Sequence, residues 1–382
     1  FIFRFDLKGK NTMQELLNIT VGQLLEDFAR KQPDHLFAKY TECDYERTYA
    51  EFDAEVDMIA KSFIALGVEK GDKVAIWATN YPHWLLTLFA ACKIGAILVT
   101  VNTNYKVFEA EYLLRQSDTE LLVMNDGFKD TDYVHIVKEI CPEIGSCPAD
   151  DLSCEKLPFL KAVVTIDGTR HDGMLHWSDL EARSGKVSDS ALAARKADCH
   201  PDDVINMQYT SGTTGFPKGV MLSHNNIVNN GLCIGDCMNF SPADKLCICV
   251  PFFHCFGLVL AVMASVTHGS AMVPIYYYSP IKVMNAIQQE KCTAVHGVPT
   301  MFIAMLEHPE FKNIDFSSLR TGIMAGSPCP VKVMQQVVDE MHMPEITITY
   351  GQTEASPACT MTTTHDSLDR RVSTVGKSMP FV

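Results

Sequence analysis

Residues Gln208 to Val220 read QYTSGTTGFPKGV, which packs three glycines, four aliphatic hydroxyls and one lysine into a short run. Gly212, Gly215 and Gly219 let backbone N–H groups converge without a side chain in the way, while Thr210, Ser211, Thr213 and Thr214 add hydroxyl donors. Such a run can wrap a phosphate, and Lys218 adds positive charge. It is not the usual NTPase phosphate loop, because Lys218 follows Pro217 rather than glycine and precedes Gly219 rather than Ser or Thr. Strand-like sequence on either side, Val204 to Thr210 and Gly219 to Leu222, makes it a hairpin loop able to close over a polyphosphate.

Outward from this loop the chain alternates between two periods. Thr48 and Glu51 predict a capping box. Phe52, Val56, Ile59, Phe63 and Ile64 then repeat at helical spacing until Gly67 closes the helix. Lys73 to Ala78 reads as a buried strand, Asn80 and Pro82 open another helix, and Ile97 to Val101 is the next strand. Further strands are expected at Glu120 to Met124, Ala162 to Ile166, Leu246 to Val250, Ala271 to Ile275, Thr293 to His296, Thr321 to Met324 and Ile346 to Tyr350. Helical segments separate most of them, so the predicted class is α/β, with mostly parallel sheets covered by helices on both faces. A polar stretch from Ser184 to Asp203 suggests a division into 1–200 and 201–382, the second part carrying the phosphate loop.

Composition excludes several classes. The 32 Lys+Arg against 46 Asp+Glu give a net charge of −14, and no basic stripe is visible, so nucleic acid is not an expected partner. Fourteen cysteines scattered through apolar segments such as Cys247-Ile-Cys249 suggest buried free thiols in a reducing, cytoplasmic setting rather than a disulfide scaffold. Cys141, Cys147 and Cys154 come nearest to a metal cluster, but they lack a C-x-x-C pair and a fourth ligand, so zinc is not expected there. No transmembrane span is expected. Trp84 to Val101 is almost wholly apolar, yet Lys93 and Gly95 interrupt it, so it reads as a helix followed by a buried strand. The chain opens on Phe1, and no targeting segment can be read.

Four more motifs follow the loop: PFFHCFG (Pro251 to Gly257), HGVPTMF (His296 to Phe302), MAGSPCP (Met324 to Pro330) and YGQTE (Tyr350 to Glu354). Together, and in this order, they resemble the adenylate-forming (AMP-binding) superfamily of acyl-CoA synthetases, luciferases and peptide-synthetase adenylation domains, over about Val21 to Val382. The resemblance is greatest to fatty acyl-CoA synthetases. It implies a stacked αβαβα-type large domain and ATP, Mg²⁺ and coenzyme A as co-substrates and cofactor. The implied reaction converts a carboxylic acid to an acyl-adenylate and then to an acyl-CoA.

The resemblance also assigns residues. Thr210, Ser211, Gly212, Thr213, Thr214, Gly215 and Lys218 would hold the phosphates, Gly326 and Ser327 would lie against the base, and Tyr350 would pack on adenine. Thr353 would bond the α-phosphate, and Glu354, with Thr210, would hold magnesium. Lys218, Thr353 and Glu354 are the catalytic candidates. Mg²⁺ prefers one or two carboxylates plus phosphate oxygens, which agrees with this set. His254 would border the acyl carboxylate as a gate or positioning group. No G-x-S-x-G elbow, H-E-x-x-H helix or G-x-G-x-x-G fingerprint competes with this assignment.

Residues alone argue for an apolar acid. Between Asp244 and Glu290 there is no carboxylate, whereas an amino-acid substrate would need a buried acid to balance its ammonium. Phe256 and its apolar neighbours, with room left by Gly257 and Gly322, favour a medium- or long-chain fatty acid, an aryl acid being the other option. The family continues past the point where this chain stops, into a Tyr-x-Thr-Gly-Asp motif and a C-terminal lid with a catalytic lysine. The expectation is therefore the large N-terminal part of a ligase, adenylating poorly by itself. The alternative is a lidless nucleotide- or acyl-binding module with a structural or regulatory role. The reading frame beyond Val382 separates the two.

Overall fold

The computed structural model of the chain describes residues 16–210 and 216–382. Its strands, in chain order, are β1 (Leu36–Lys39), β2 (Glu46–Thr48), β3 (Lys73–Trp77), β4 (Ile97–Thr100), β5 (Thr119–Met124), β6 (Gly127–Phe128), β7 (Thr131–Asp132), β8 (Ala162–Thr165) and β9 (Leu175–His176). They continue with β10 (Val204–Thr210), β11 (Lys218–Ser223), β12 (Lys245–Ile248), β13 (Ala271–Pro274), β14 (Ala294–His296), β15 (Thr321–Ala325), β16 (Glu345–Gly351), β17 (Ala358–Met361) and β18 (Lys377–Ser378).

Two large sheets result. One has the order β11-β10-β4-β3-β5-β8-β9 and is parallel except where β11 turns back on β10. The other has the order β18-β17-β16-β15-β14-β12-β13-β1-β2, parallel from β16 to β1 with antiparallel strands at both margins. The expected α/β class with mostly parallel sheets is therefore correct. The cut at residue 200 does not follow the sheets, because β10 and β11 complete the first sheet while β1 and β2 pair into the second.

Local chemistry explains the elements. Helix α1 (Val21–Lys31) starts at a capping box of Thr20 and Gln23, and α2 (Tyr49–Ala65) at the predicted box of Thr48 and Glu51. Helix α3 (Pro82–Ile94) begins with proline in its first turn and ends at Gly95, whose φ of 75° is a left-handed conformation that suits glycine. Ser184 to Asp203 is more than a polar connection. It contains a helix, Asp189–Ala197, which buries only Leu192 and is capped by Ser188. Its polarity reflects a solvated surface, so composition hid the element.

Side-chain alternation along the strands separates the layers. Val74, Ile76 and Leu98 point into a core shared with α1, α2 and α3, while Ala75, Trp77 and Val99 point into a second core that includes Tyr133. In the other sheet, Leu246 and Ile248 face the shared core while Cys247 and Cys249 face a third. One core thus lies between the sheets and one outside each, which is the stacked αβαβα arrangement. Nine of the fourteen cysteines are buried, which agrees with thiols used as small apolar residues. No helix among the described residues is long and apolar enough to cross a membrane.

Candidate active site

The carboxyl ends of parallel strands carry exposed loops where a sheet can place a ligand. Here the ends of β4, β10 and β16 open on one cleft of about 590 Å³. Its walls include Thr100 at the end of β4 and Asn102 just after it, Gln208 and Thr210 on β10, Phe253 and His254 after β12, and Gln352, Thr353 and Glu354 after β16.

The hairpin is built from β10 and β11, with Thr210 opposite Lys218 in the register. Its far end is tied to a neighbouring helix, α4 (Val107–Gln116). The Tyr112 hydroxyl donates to the Pro217 carbonyl at 3.3 Å, and the Tyr112 and Phe216 rings lie 5.3 Å apart. Ser211, Gly212, Thr213, Thr214 and Gly215 fall outside the described residues.

Asn80 anchors the Pro251 to His254 segment. Its side-chain amide, almost wholly buried, donates to the carbonyls of Val250 at 3.0 Å and Ile275 at 3.1 Å, and its oxygen accepts the Phe252 N–H at 2.8 Å. From this anchored segment the chain enters a wide π-helical turn, Phe256–Met263, in which every residue is buried. Turns of this kind recur at functional sites. The His254 Nδ1 accepts the Phe256 N–H at 3.1 Å, so in the neutral ring the proton sits on Nε2. The ring is exposed on the cleft, and the protein crowded around it desolvates it enough to lower its pKa from the usual imidazole range.

Cys255 links the two motifs, with its Sγ 3.7 Å from the Thr353 Oγ1 and 3.6 Å from the His254 Nδ1. Burial pushes the Cys255 thiol up to about 11, so it stays a neutral contact rather than a nucleophile. The segment after β16 is held by the Gln352 N–H donating to the Pro357 carbonyl at 3.0 Å. Asn230 pairs with the Ala358 backbone in both directions at 3.0 Å. Thr353 is buried and Glu354 exposed.

Four expected residues thus converge on the cleft: Thr210, His254, Thr353 and Glu354. Lys218, Tyr350, Gly326 and Ser327 are exposed and are not among the lining residues. Phe256, Gly257 and Gly322 also lie off its wall, and the two glycines have packing reasons. A Cβ on Gly257 would sit 2.2 Å from the Pro251 carbonyl oxygen, and one on Gly322 would sit 1.9 Å from that of Val295. Thr100, Asn102 and Tyr105 line the cleft without having been read as site residues. Their signal is their position at or just past the carboxyl end of β4.

Comparison with known proteins agrees with the geometry. Residues 25–382 match the model of the AMP-binding enzyme family. The chain is 50% identical over 368 residues to the Bacillus subtilis (strain 168) protein named "Putative acyl-CoA synthetase YngI", covering 96% of this chain and 67% of that protein. It is 36% identical over 378 residues to the mouse (Mus musculus) medium-chain acyl-CoA ligase ACSF2, mitochondrial, covering 97% of this chain and 61% of that protein. The chain therefore spans about three fifths to two thirds of the length of these relatives. The inhibitor-bound N-terminal domain of FACL13 from Mycobacterium tuberculosis shares the fold, with a TM-score of 0.80 and 22% identity over 96% of this chain and 83% of that one. The β10–β11 hairpin, the Gln352 to Glu354 segment at the same cleft and a family match over residues 25–382 converge: the chain belongs to the AMP-binding enzyme family.

Proposed function

We propose that the protein containing this chain activates a carboxylic acid with ATP and transfers the acyl group to coenzyme A. A carboxylate is a poor acyl donor because its leaving group would be oxide. Attack of the carboxylate oxygen on the α-phosphorus forms an acyl-adenylate and releases pyrophosphate. The sulfur of coenzyme A then attacks the acyl carbon, the thiol proton is lost, and AMP leaves. Positioning and charge neutralisation dominate such phosphoryl chemistry.

The observation that carries this reading is the convergence of Thr210, His254, Thr353 and Glu354 on one cleft. The Thr210 and Thr353 hydroxyls are suited to donate to phosphate oxygens, and the His254 Nε2–H to the acid carboxylate. In this reading Lys218, opposite Thr210 in the hairpin register, would balance polyphosphate charge. Thr210 and Glu354 offer hard oxygen donors on the same cleft and fit Mg²⁺, which would supply charge neutralisation to the phosphates. Ser211 to Gly215 complete the phosphate loop in this reading, while Gly326, Ser327 and Tyr350 flank the base.

For the acid, the all-buried Phe256–Met263 segment and the absence of any carboxylate between Asp244 and Glu290 favour a medium- or long-chain fatty acid. The mouse relative named medium-chain acyl-CoA ligase supports this choice. The free cysteines favour a reducing compartment, for which we propose the cytoplasm.

The test is acid-dependent exchange of labelled pyrophosphate into ATP, measured on this chain and on a version lengthened toward the size of its relatives, over acids of increasing chain length. The proposal expects exchange by the lengthened protein with apolar acids and little by this chain. Absence of exchange with every acid would overturn it.

A further inference from the structure

The loop between α5 (Tyr133–Ile140) and β8 runs through Cys141 to Lys161 with turns only and carries a cluster that the reaction does not use. Cys141 and Cys154 are buried, and one ligand atom from each of Cys141, Glu143 and Cys154 lies within 4.8 Å of the others. Glu143 is half-buried; its Oε1 accepts the Glu155 N–H at 3.2 Å, whereas its Oε2 is shielded from solvent without a nitrogen donor, and among the described side chains the carboxylate is met only by the Cys141 and Cys154 thiols. A shielded carboxylate oxygen met only by weak thiol donors gains from a cation beside it. No ion pair to Glu143 occurs among the described residues. We propose that Cys141, Glu143 and Cys154 form a binding site for a zinc-class divalent cation.

Geometry and chemistry support it together. Tetrahedral coordination with Zn–S of about 2.3 Å and Zn–O of about 2.1 Å sets S···S near ~3.8 Å and S···O near ~3.6 Å, so the three ligand atoms, within 4.8 Å of one another, need to close by at most about 1.2 Å. Two thiolates and a carboxylate suit a borderline metal such as zinc rather than Mg²⁺ or Ca²⁺. Cys141 caps the C-terminal end of α5, and the Cys154 thiol lies 4.0 Å from the Ile140 carbonyl there. The negative end of a helix dipole also favours a cation. Three protein ligands leave a fourth position for water.

A second acidic group shows the contrast. Glu26, Asp53 and Asp57 also converge, but Lys93 Nζ lies 2.6 Å from Asp53, and Lys196 Nζ lies 2.7 Å from both Glu26 and Asp57. That group already has its cations.

Bound metal would pin the loop from Pro142 to Ser153 between two buried thiols. The test is titration of the metal-stripped chain, kept reduced with a phosphine, first with Cd²⁺ by its thiolate charge-transfer absorption and then with Zn²⁺ against a chromophoric chelator. One equivalent is expected, with a rise in melting temperature on zinc. Loss of the charge-transfer band is expected in the Cys141→Ser, Cys154→Ser double variant. Glu143→Gln is partly exposed and should keep the fold, as far-ultraviolet dichroism would check. It should weaken binding by about tenfold or more. Absence of the band in the parent chain, an undiminished band in the double variant, or unchanged affinity in Glu143→Gln would each overturn the assignment.

Discussion

Replacing Asn80 by alanine tests how the fold positions the cleft. The Asn80 side chain bonds to three backbone groups, the carbonyls of Val250 and Ile275 and the N–H of Phe252, and it is almost wholly buried. Alanine leaves all three without that partner. At about 1–3 kcal/mol per stranded group, partly relieved by a water entering the space the amide leaves, the loss is about 3–5 kcal/mol. With an unfolding entropy of roughly 2.1 cal/mol/K per residue, this corresponds to a drop of about 4–6 °C in melting temperature for a chain of this length. Asn80→Asp keeps the acceptor for Phe252 but turns a carboxylate toward two carbonyls, so it should be at least as harmful. Differential scanning calorimetry measures the shift. Binding of ATP and acid, followed by thermal shift, should weaken in parallel, because the same amide holds the Pro251 to His254 segment. A melting temperature within 1 °C of the parent for both variants would refute the reasoning.

Other outcomes follow from the same physics. His296 is fully buried, its Nε2–H donating to the Leu260 carbonyl at 3.0 Å and its Nδ1 accepting the Ile323 N–H at 3.2 Å, so a second proton would face a donor. Burial lowers its pKa to about 4, below the unfolded value of 6.5. The unfolded state therefore takes up the proton first. Stability should fall as pH drops from about 6.5 toward 4, by about 3 kcal/mol from this group, and His296→Gln should flatten that slope in urea titrations across pH. Gly257→Ala should cost about 1–3 kcal/mol and weaken acid binding, because the new Cβ meets backbone at 2.2 Å, while Gly168→Ala, with nothing within 4 Å, should be silent in the same melting assay. Glu354→Gln, at an exposed position, should leave melting temperature unchanged and reduce Mg²⁺-dependent ATP binding by about tenfold to a hundredfold, read by calorimetric titration.

Much of this fold is legible wherever local chemistry and tertiary packing agree. Thr48 and Glu51 announce α2, Pro82 and Gly95 bracket α3, and the apolar runs at β3, β4 and β5 are buried parallel strands. Elements that rely on distant partners are harder to read. The short strands β1 and β2 exist because β1 pairs with β13, more than two hundred residues away, and no local run of β-formers marks them. Lys93 is the clearest case of a tertiary override. As a lone charge it reads as an interruption, yet its ammonium is buried among Glu26, Asp53 and Asp57.

The site divides in the same way. Hydroxyl, histidine and carboxylate positions carried by ordered motifs can be named from sequence, and Thr210, His254, Thr353 and Glu354 share a cleft. Glycines are ambiguous, since Gly257 and Gly322 read as room for a ligand and instead permit close backbone contact. Thr100, Asn102 and Tyr105 could be found only by asking what lies at and past the carboxyl end of β4. The pairing of Cys141 with Glu143 and Cys154 depends on how a turn-rich loop folds back, which spacing does not reveal.

The most direct test of the central claim is a crystal structure of the chain with a non-hydrolysable ATP analogue and Mg²⁺. The account predicts the triphosphate in the cleft between Thr210 and Glu354, with the metal on the Glu354 carboxylate and the hairpin loop closed over the phosphates. Nucleotide bound elsewhere, with the Thr210 to Lys218 hairpin and Glu354 both out of contact with it, would contradict the account.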